Sequence, residues 1–379
     1  MKKLLSSIFC VIIVVTAMPI TSAASDNSEV PNVSAESYVL YCADNGKVVV
    51  SKDEHKKMKP ASTTKLMTTL IALEETASAN KQVKFTKEMI AEGSSMYLGV
   101  GEVVTLKDLA AGMMMASGND AANATAITVA GSKEKFADKM NERASQIGMK
   151  DTHFVTPSGL DDDNHYSTAY DLALLMSYAL ENDDFAELTA QKRATVDFIS
   201  PQDKKNTYAN HNKLLSLYEY CIGGKTGYTI AAGRCLVSAA KKDGLTLVCV
   251  TLNDRNDWND HINLYEYGFS NLACFSSDDK EFIVDIPCVG GTDDNTTVSG
   301  ENDIKLVVPE SDKEKIVRKV YCDSFLYAPI KENQVVGVIE YTLDGEILAS
   351  NNLVAIKKVD SYIENKSIFK KIKELFTYG

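Results

Sequence analysis

An α/β (α+β) domain followed by a small all-β domain is the architecture this 379-residue chain predicts. Three observations carry it. An apolar run, Leu66-Met67-Thr68-Thr69-Leu70-Ile71-Ala72-Leu73, follows Pro60-Ala61-Ser62 and reads as a buried helix. Two adjacent apolar strands, Leu236 to Ala240 and Leu245 to Leu252, are joined by Lys241-Lys242-Asp243-Gly244, and a long helix from Trp258 to Ala273 follows to pack on them. Beyond Ser276-Ser277-Asp278-Asp279 the composition shifts to short alternating strands separated by polar turns.

The first residues are set apart from that fold. Met1-Lys2-Lys3 is basic, Leu4 to Ile20 is largely apolar, and Thr21-Ser22-Ala23-Ala24 supplies small residues for cleavage, so residues 1–24 read as a signal peptide. The working protein is therefore expected outside the cytoplasm. Loss of that segment removes two lysines and no acids, which takes the formal net charge from −12 to −14. So acidic a body argues against nucleic acid as a partner. Seven of the eight cysteines then remain, an odd number that cannot all pair within one chain. No C-x-x-C or histidine-rich spacing points to a metal, and no cofactor is expected.

In chain order, Tyr38 to Ser51 reads as a hairpin turning at Asp44-Asn45-Gly46. The helix that holds Ser62 and Lys65 comes next. Thr105 is placed to cap a methionine-rich helix, Leu106 to Met115, which stops at the loop Ser117-Gly118-Asn119 before a second helix, Asp120 to Val129. Thr168 to Met176 reads as a helix, and Lys225-Thr226-Gly227 lies on or beside a strand of the sheet. The β domain is expected at residues 276–358, with strands at Glu281–Val284, Ile304–Val308, Val335–Tyr341 and Leu353–Ile356. In the last stretch, 359–379, Ile368, Phe369, Ile372, Leu375 and Phe376 share one helical face, with Lys366, Lys370, Lys371 and Lys373 mostly off it. Such a helix is expected to anchor the chain in a membrane interface with its lysines on anionic lipid, in preference to docking on the β domain.

The chemistry is carried by three elements in order: Ser62-Thr63-Thr64-Lys65, Ser117-Gly118-Asn119 and Lys225-Thr226-Gly227. The S-x-x-K pattern alone is noise, since it recurs at Ser78, Ser132, Ser238, Ser277 and Ser367. What separates the Ser62 copy is the helix start before it, the apolar run after it and the two other elements behind it. Together they are the parts of a serine acyl-transfer site that uses lysine as its base. Ser62 and Lys65 fall one helical turn apart on one face. A lysine at its usual pKa of about 10.4 is protonated and useless as a base, so burial and the second cation, Lys225, must favour its neutral form. Ser117 is suited to relay a proton to the leaving group, and Asn119 to hold a substrate amide. Lys225 and Thr226 would grip a carboxylate, and Gly227 lets substrate backbone approach. The N–H of Ser62 with one from the Gly227-Tyr228 strand would form an oxyanion hole. A Ser-His-Asp site is disfavoured, because the G-x-S-x-G elbow is absent, none of the five histidines stands in such a context, and His153, His165 and His261 suit surface or structural roles.

The chain resembles the serine-type D-alanyl-D-alanine carboxypeptidases, the low-molecular-mass penicillin-binding proteins, from about Val33 to its end. Besides the three motifs, Thr152-His153-Phe154, Gly159-Leu160-Asp161, His165-Tyr166-Ser167-Thr168-Ala169 and Gln334-Val335-Val336-Gly337 match that group. The resemblance implies a penicillin-recognising, β-lactamase-like fold with an antiparallel sheet flanked by helices, covering 25–275. It implies Ser62 as acyl-enzyme nucleophile, Lys65 as proton acceptor, Ser117 and Asn119 as the second element, and Lys225 and Thr226 as substrate-binding residues. The implied substrates are peptidoglycan stem peptides ending in D-Ala-D-Ala, the implied inhibitors β-lactams, and the implied place the outer face of a bacterial cytoplasmic membrane. One position departs: His211, before Asn212-Lys213-Leu214-Leu215, stands where relatives often carry an arginine for the terminal carboxylate. Lys225 and Thr226 then carry more of that task, or Arg234 does. A β-lactamase on the same fold lacks a convincing Glu-x-x-Leu-Asn segment here, and a wall-binding protein without catalysis would not need all three motifs. Endopeptidase action on cross-links belongs to relatives that usually lack the second domain.

Overall fold

Five strands build the central sheet of the computed structural model, which describes residues 29–362. They are β1 (Ser37–Cys42), β2 (Lys47–Lys52), β3 (Cys221–Thr229), β4 (Gly233–Lys242) and β5 (Leu245–Leu252), in the spatial order β2-β1-β5-β4-β3. Every neighbouring pair is antiparallel. The hairpins at Asp44-Asn45-Gly46 and Asp243-Gly244 are where the turn residues place them, with Gly46 and Gly244 at positive φ.

Side chains alternate along β4 and divide two cores. Cys235, Val237 and Ala239 face the helical layer with Leu66, Met67 and Leu70, whereas Leu236 and Ala240 face Leu264 and Tyr265 of the Asp257–Asn271 helix. Burial on both faces explains why the strand reads as one continuous apolar run. β3 closes one side of the sheet, so its outer edge carries backbone groups with no strand beside them.

The helical layer is built around the Lys65–Thr76 helix, whose residues Lys65 to Leu73 are all buried. Ser62 lies just outside it, in a 3₁₀ turn over Ala61–Thr64, instead of inside one continuous helix. Thr105 caps the Leu106–Met115 helix in a reciprocal box with Asp108, and Thr168 caps Ala169–Ala179. The helix after Ser117-Gly118 begins at Asn119 and runs to Ala130.

The second unit is a six-stranded sheet in the order Val317–Cys322, Val335–Leu343, Glu346–Ala355, Asn295–Gly300, Val284–Val289, Leu326–Tyr327. Ile286, Val298, Ile339, Tyr341 and Leu353 fill its core. A two-stranded ribbon of Leu272–Ser277 and Ile304–Pro309 joins it to the first unit. The expected boundary at 276 thus falls inside a strand. The strand expected at Glu281–Val284 is instead a 3₁₀ turn at Asp279–Glu281 followed by a strand from Val284, because Asp279 is drawn fully into the interior. Val359 and Ser361 bridge to Ile330 and Gly291 in this unit. The leader at 1–24 and the amphipathic stretch around Ile368 to Phe376 lie outside the described residues. No helix among the described residues is long and apolar enough to cross a membrane.

Candidate active site

The turn that carries Ser62 is held between two close approaches. Gly227 of β3 comes so near that a Cβ there would lie 3.0 Å from Ser62 N and 3.0 Å from Pro60 O. On the other side Gly159, at φ +81°, sits where a Cβ would fall 1.9 Å from Ala61 O. Ala61 itself has φ +49°, and Ser117 has φ +56°, both in the left-handed region that non-glycine residues rarely adopt. Strain thus sits beside the hydroxyls of the first two motifs. Gly159→Ala should cost about 2–4 kcal/mol from lost left-handed freedom and the clash with Ala61, read as a lower thermal midpoint.

Lys65 Nζ lies 2.9 Å from Ser62 Oγ, 2.7 Å from Asn119 Oδ1 and 2.7 Å from the Ser158 carbonyl. Lys65 donates to all three oxygens as an ammonium; once neutral it keeps two N–H donors for the carbonyls and has a lone pair for the Ser62 hydroxyl. The electrostatics favour the neutral form. Complete burial holds the lysine well below its ordinary value and Lys225 pushes it further, against a smaller opposing pull from Asp120. Asn119 is fixed at its other end, where Nδ2 donates to the Glu92 carbonyl over 2.7 Å.

Lys225 Nζ donates to Ser117 Oγ at 3.1 Å and to the Thr226 carbonyl at 2.8 Å. Burial lowers its pKa to about 7. Because Ser117 Oγ accepts from Lys225, its own proton is free to go elsewhere. Lys65, Ser62 and Asn119 thus form one connected set, and Lys225 with Ser117 a second beside it.

A cleft of about 460 Å³ opens over these groups, lined by Ser62, Ser94, Ser117, His211, Thr226, Gly227 and Tyr228, and continuing to Arg234, Cys235, Asp257 and Trp258. His211, held below its ordinary pKa by burial and by Lys225, therefore stands in the same cleft as Ser62. Arg234 is committed to Asp257, with Nε 3.1 Å from Oδ2 and Nη2 2.6 Å from Oδ1. All eight residues picked out by sequence, Ser62, Lys65, Ser117, Asn119, Lys225, Thr226, Gly227 and His211, come together. Among the described residues there is no cluster of three or more His, Cys, Asp or Glu that could hold a metal.

Sequence reasoning missed several supports. The Ser158 carbonyl carries no side-chain signal at all. Asp120, directly after the second motif, binds Ser95 Oγ at 2.7 Å, Met96 N at 3.0 Å and Leu98 N at 3.1 Å, so it pins the loop that brings Ser94 to the cleft. Its adjacency to Asn119 was the one available hint. His165 is structural: its Nδ1 accepts from Val155 N at 3.0 Å, which leaves Nε2 to bond Thr64 Oγ1 at 2.9 Å. Burial pushes it down to about 4, so it stays neutral. His261 is likewise buried, against Ser238 and Thr251.

Comparison with known proteins extends over nearly all of these elements. The model of the D-alanyl-D-alanine carboxypeptidase family matches residues 23–256, and that of the penicillin-binding protein 5 C-terminal domain matches 269–361. The D-alanyl-D-alanine carboxypeptidase DacF of Bacillus subtilis is 30% identical over 372 residues, 94% of each chain. DacA of Escherichia coli is 32% identical over 352 residues, 87% of this chain and 85% of the relative. Among solved structures, penicillin-binding protein 5 of Haemophilus influenzae superposes with a TM-score of 0.68 at 27% identity, covering 88% of this chain and 99% of that one.

Proposed function

The chain belongs to the D-alanyl-D-alanine carboxypeptidase family, and from that premise we propose that Ser62 is its acyl-enzyme nucleophile and Lys65 the base that activates it. The activity is removal of the terminal D-alanine from peptidoglycan stem peptides, with β-lactams acylating the same serine. The observation that carries the residue assignment is the complete burial of Lys65 beside Lys225, which favours its neutral form, with its Nζ 2.9 Å from Ser62 Oγ.

Lys65 takes the hydroxyl proton as Oγ attacks the carbonyl carbon of the penultimate D-alanine. The oxygen that becomes negative is received by the N–H of Ser62 and one from the Gly227-Tyr228 strand, which the close packing of Gly227 brings level with it. The proton passes through Ser117 to the leaving nitrogen, the C–N bond breaks, and D-alanine departs. Water then attacks the ester carbonyl, giving a proton to Lys65, which passes it to Ser62 Oγ as the bond between the acyl carbon and Oγ breaks. Asn119 holds Lys65 and the substrate amide. Lys225, Thr226 and His211 receive the terminal carboxylate, a role Arg234 is less free to take while Asp257 occupies its fork.

Export through residues 1–24 and attachment to the outer face of the membrane by the lysine-flanked apolar stretch near the C-terminus complete the reading. The test is D-alanine release from a pentapeptide ending in D-Ala-D-Ala. The chain without its leader should release it and Ser62→Ala should not. Release that survives the substitution overturns the assignment.

A further inference from the structure

One end of the cleft is not used by the steps above. There Arg234, Asp257 and Trp258 line the same cavity as Ser62 and Tyr228. Asp257 is 3% exposed, and its carboxylate holds Arg234 through Nε and Nη2. Nη1 has no partner among the described residues, and the Arg234 side chain keeps 45% of its surface. A guanidinium braced on one edge and open on the other is arranged to take a second anion.

The sheet says what that anion belongs to. β3 has a free outer edge, along which an extended peptide can add as a strand. Thr226, which receives the terminal carboxylate, precedes Gly227, which is level with Ser62, so the substrate runs antiparallel and its upstream residues pass Tyr228. Tyr228 is opposite Arg234 in the ladder. One residue of extended chain, about 3.4 Å, therefore brings the residue before the penultimate D-alanine alongside this pair.

Resting on the carboxypeptidase reading, we propose that Arg234 reads a carboxylate on the side chain of the third stem residue. The enzyme then selects stem peptides whose third residue carries a side-chain carboxylate, as diaminopimelate does.

The test is calorimetric binding of three pentapeptides ending in D-Ala-D-Ala to Ser62→Ala protein, with diaminopimelate, its side-chain amide or lysine as third residue. The diaminopimelate peptide should bind about tenfold more tightly than the other two. Adding Arg234→Gln should bring that ratio to about one. Arg234→Gln combined with Asp257→Asn, which leaves no buried charge unpaired, should do the same if the single change unfolds the protein. Equal affinities before substitution, a ratio that survives it, or an equal loss for all three peptides overturns the proposal. Because the affinity ratio needs no turnover, it separates this outcome from failure of D-alanine release by the unsubstituted enzyme, which would overturn the carboxypeptidase reading itself.

Discussion

Replacing Lys65 with methionine should slow acylation by a fluorescent penicillin about a thousandfold, with the fold intact. Methionine fills similar volume in a fully buried site, so no cavity and no unpaired charge results. Lys65→Arg should be equally inactive for the opposite reason, since a guanidinium stays protonated and cannot accept the Ser62 proton. The pH profile carries the sign. Acylation requires Lys65 neutral, so its rate rises with pH through a value well below that of a free lysine. Grip on the substrate carboxylate requires Lys225 protonated, so the profile falls again as pH passes about 7 in the free enzyme. Lys65→Met should remove the rising limb and leave the falling one. A rising limb retained at normal rates would exclude Lys65 as the base. Stability is linked in the same direction. The unfolded chain holds protons on both lysines up to about pH 10, whereas the native Lys225 releases its proton near 7, so native stability grows with pH across that window.

Most of this site was legible because its parts are local in sequence. Ser62 and Lys65 are three residues apart, and the caps at Thr105 and Thr168 are one-turn signals with the chemistry to match. The support of Lys65 was not legible, because the Ser158 carbonyl reaches it from 93 residues away through backbone alone. His211 was placed by similarity, and its entry into the cleft depends on irregular chain that no periodicity describes. Arg234 looked available for the terminal carboxylate until the Asp257–Asn271 helix brought Asp257 against it. In the second unit, Asn295–Gly300 escaped notice because Asn-Thr-Thr-Val-Ser-Gly has too few apolar residues to alternate. Ile304–Val308 was read as a strand, but the partner of the observed strand, Leu272–Ser277, belongs to the segment expected to be helix and boundary. Pairing across such distances is set by tertiary fit, not by the strands' own residues.

Asp279→Ala should destabilise the C-terminal unit by about 3–5 kcal/mol while penicillin acylation at low temperature persists. Asp279 is fully buried, and it accepts from Tyr341 Oη at 2.6 Å, Asn351 Nδ2 at 2.9 Å, Ser277 Oγ at 2.9 Å and Arg318 Nε at 3.0 Å. Burial alone would raise its pKa, but the hydrogen bonds from Tyr341, Asn351, Ser277 and Arg318 outweigh it and hold the carboxyl below its usual range. These donors come from the joining ribbon and from three strands of the β sheet, so one carboxylate ties the ribbon to the sheet. Removing it leaves buried hydroxyl and amide donors without a partner, a larger penalty than the bonds themselves contribute. The stability it confers is present above the ordinary aspartate pKa of about 3.9 and is lost as pH falls through the lower folded value. Calorimetry should show a transition of the C-terminal unit moving down in the variant while that of the catalytic unit stays in place. A single transition shifted as a whole would mean that the ribbon couples the two units into one cooperative fold, and would overturn the prediction that the loss is local.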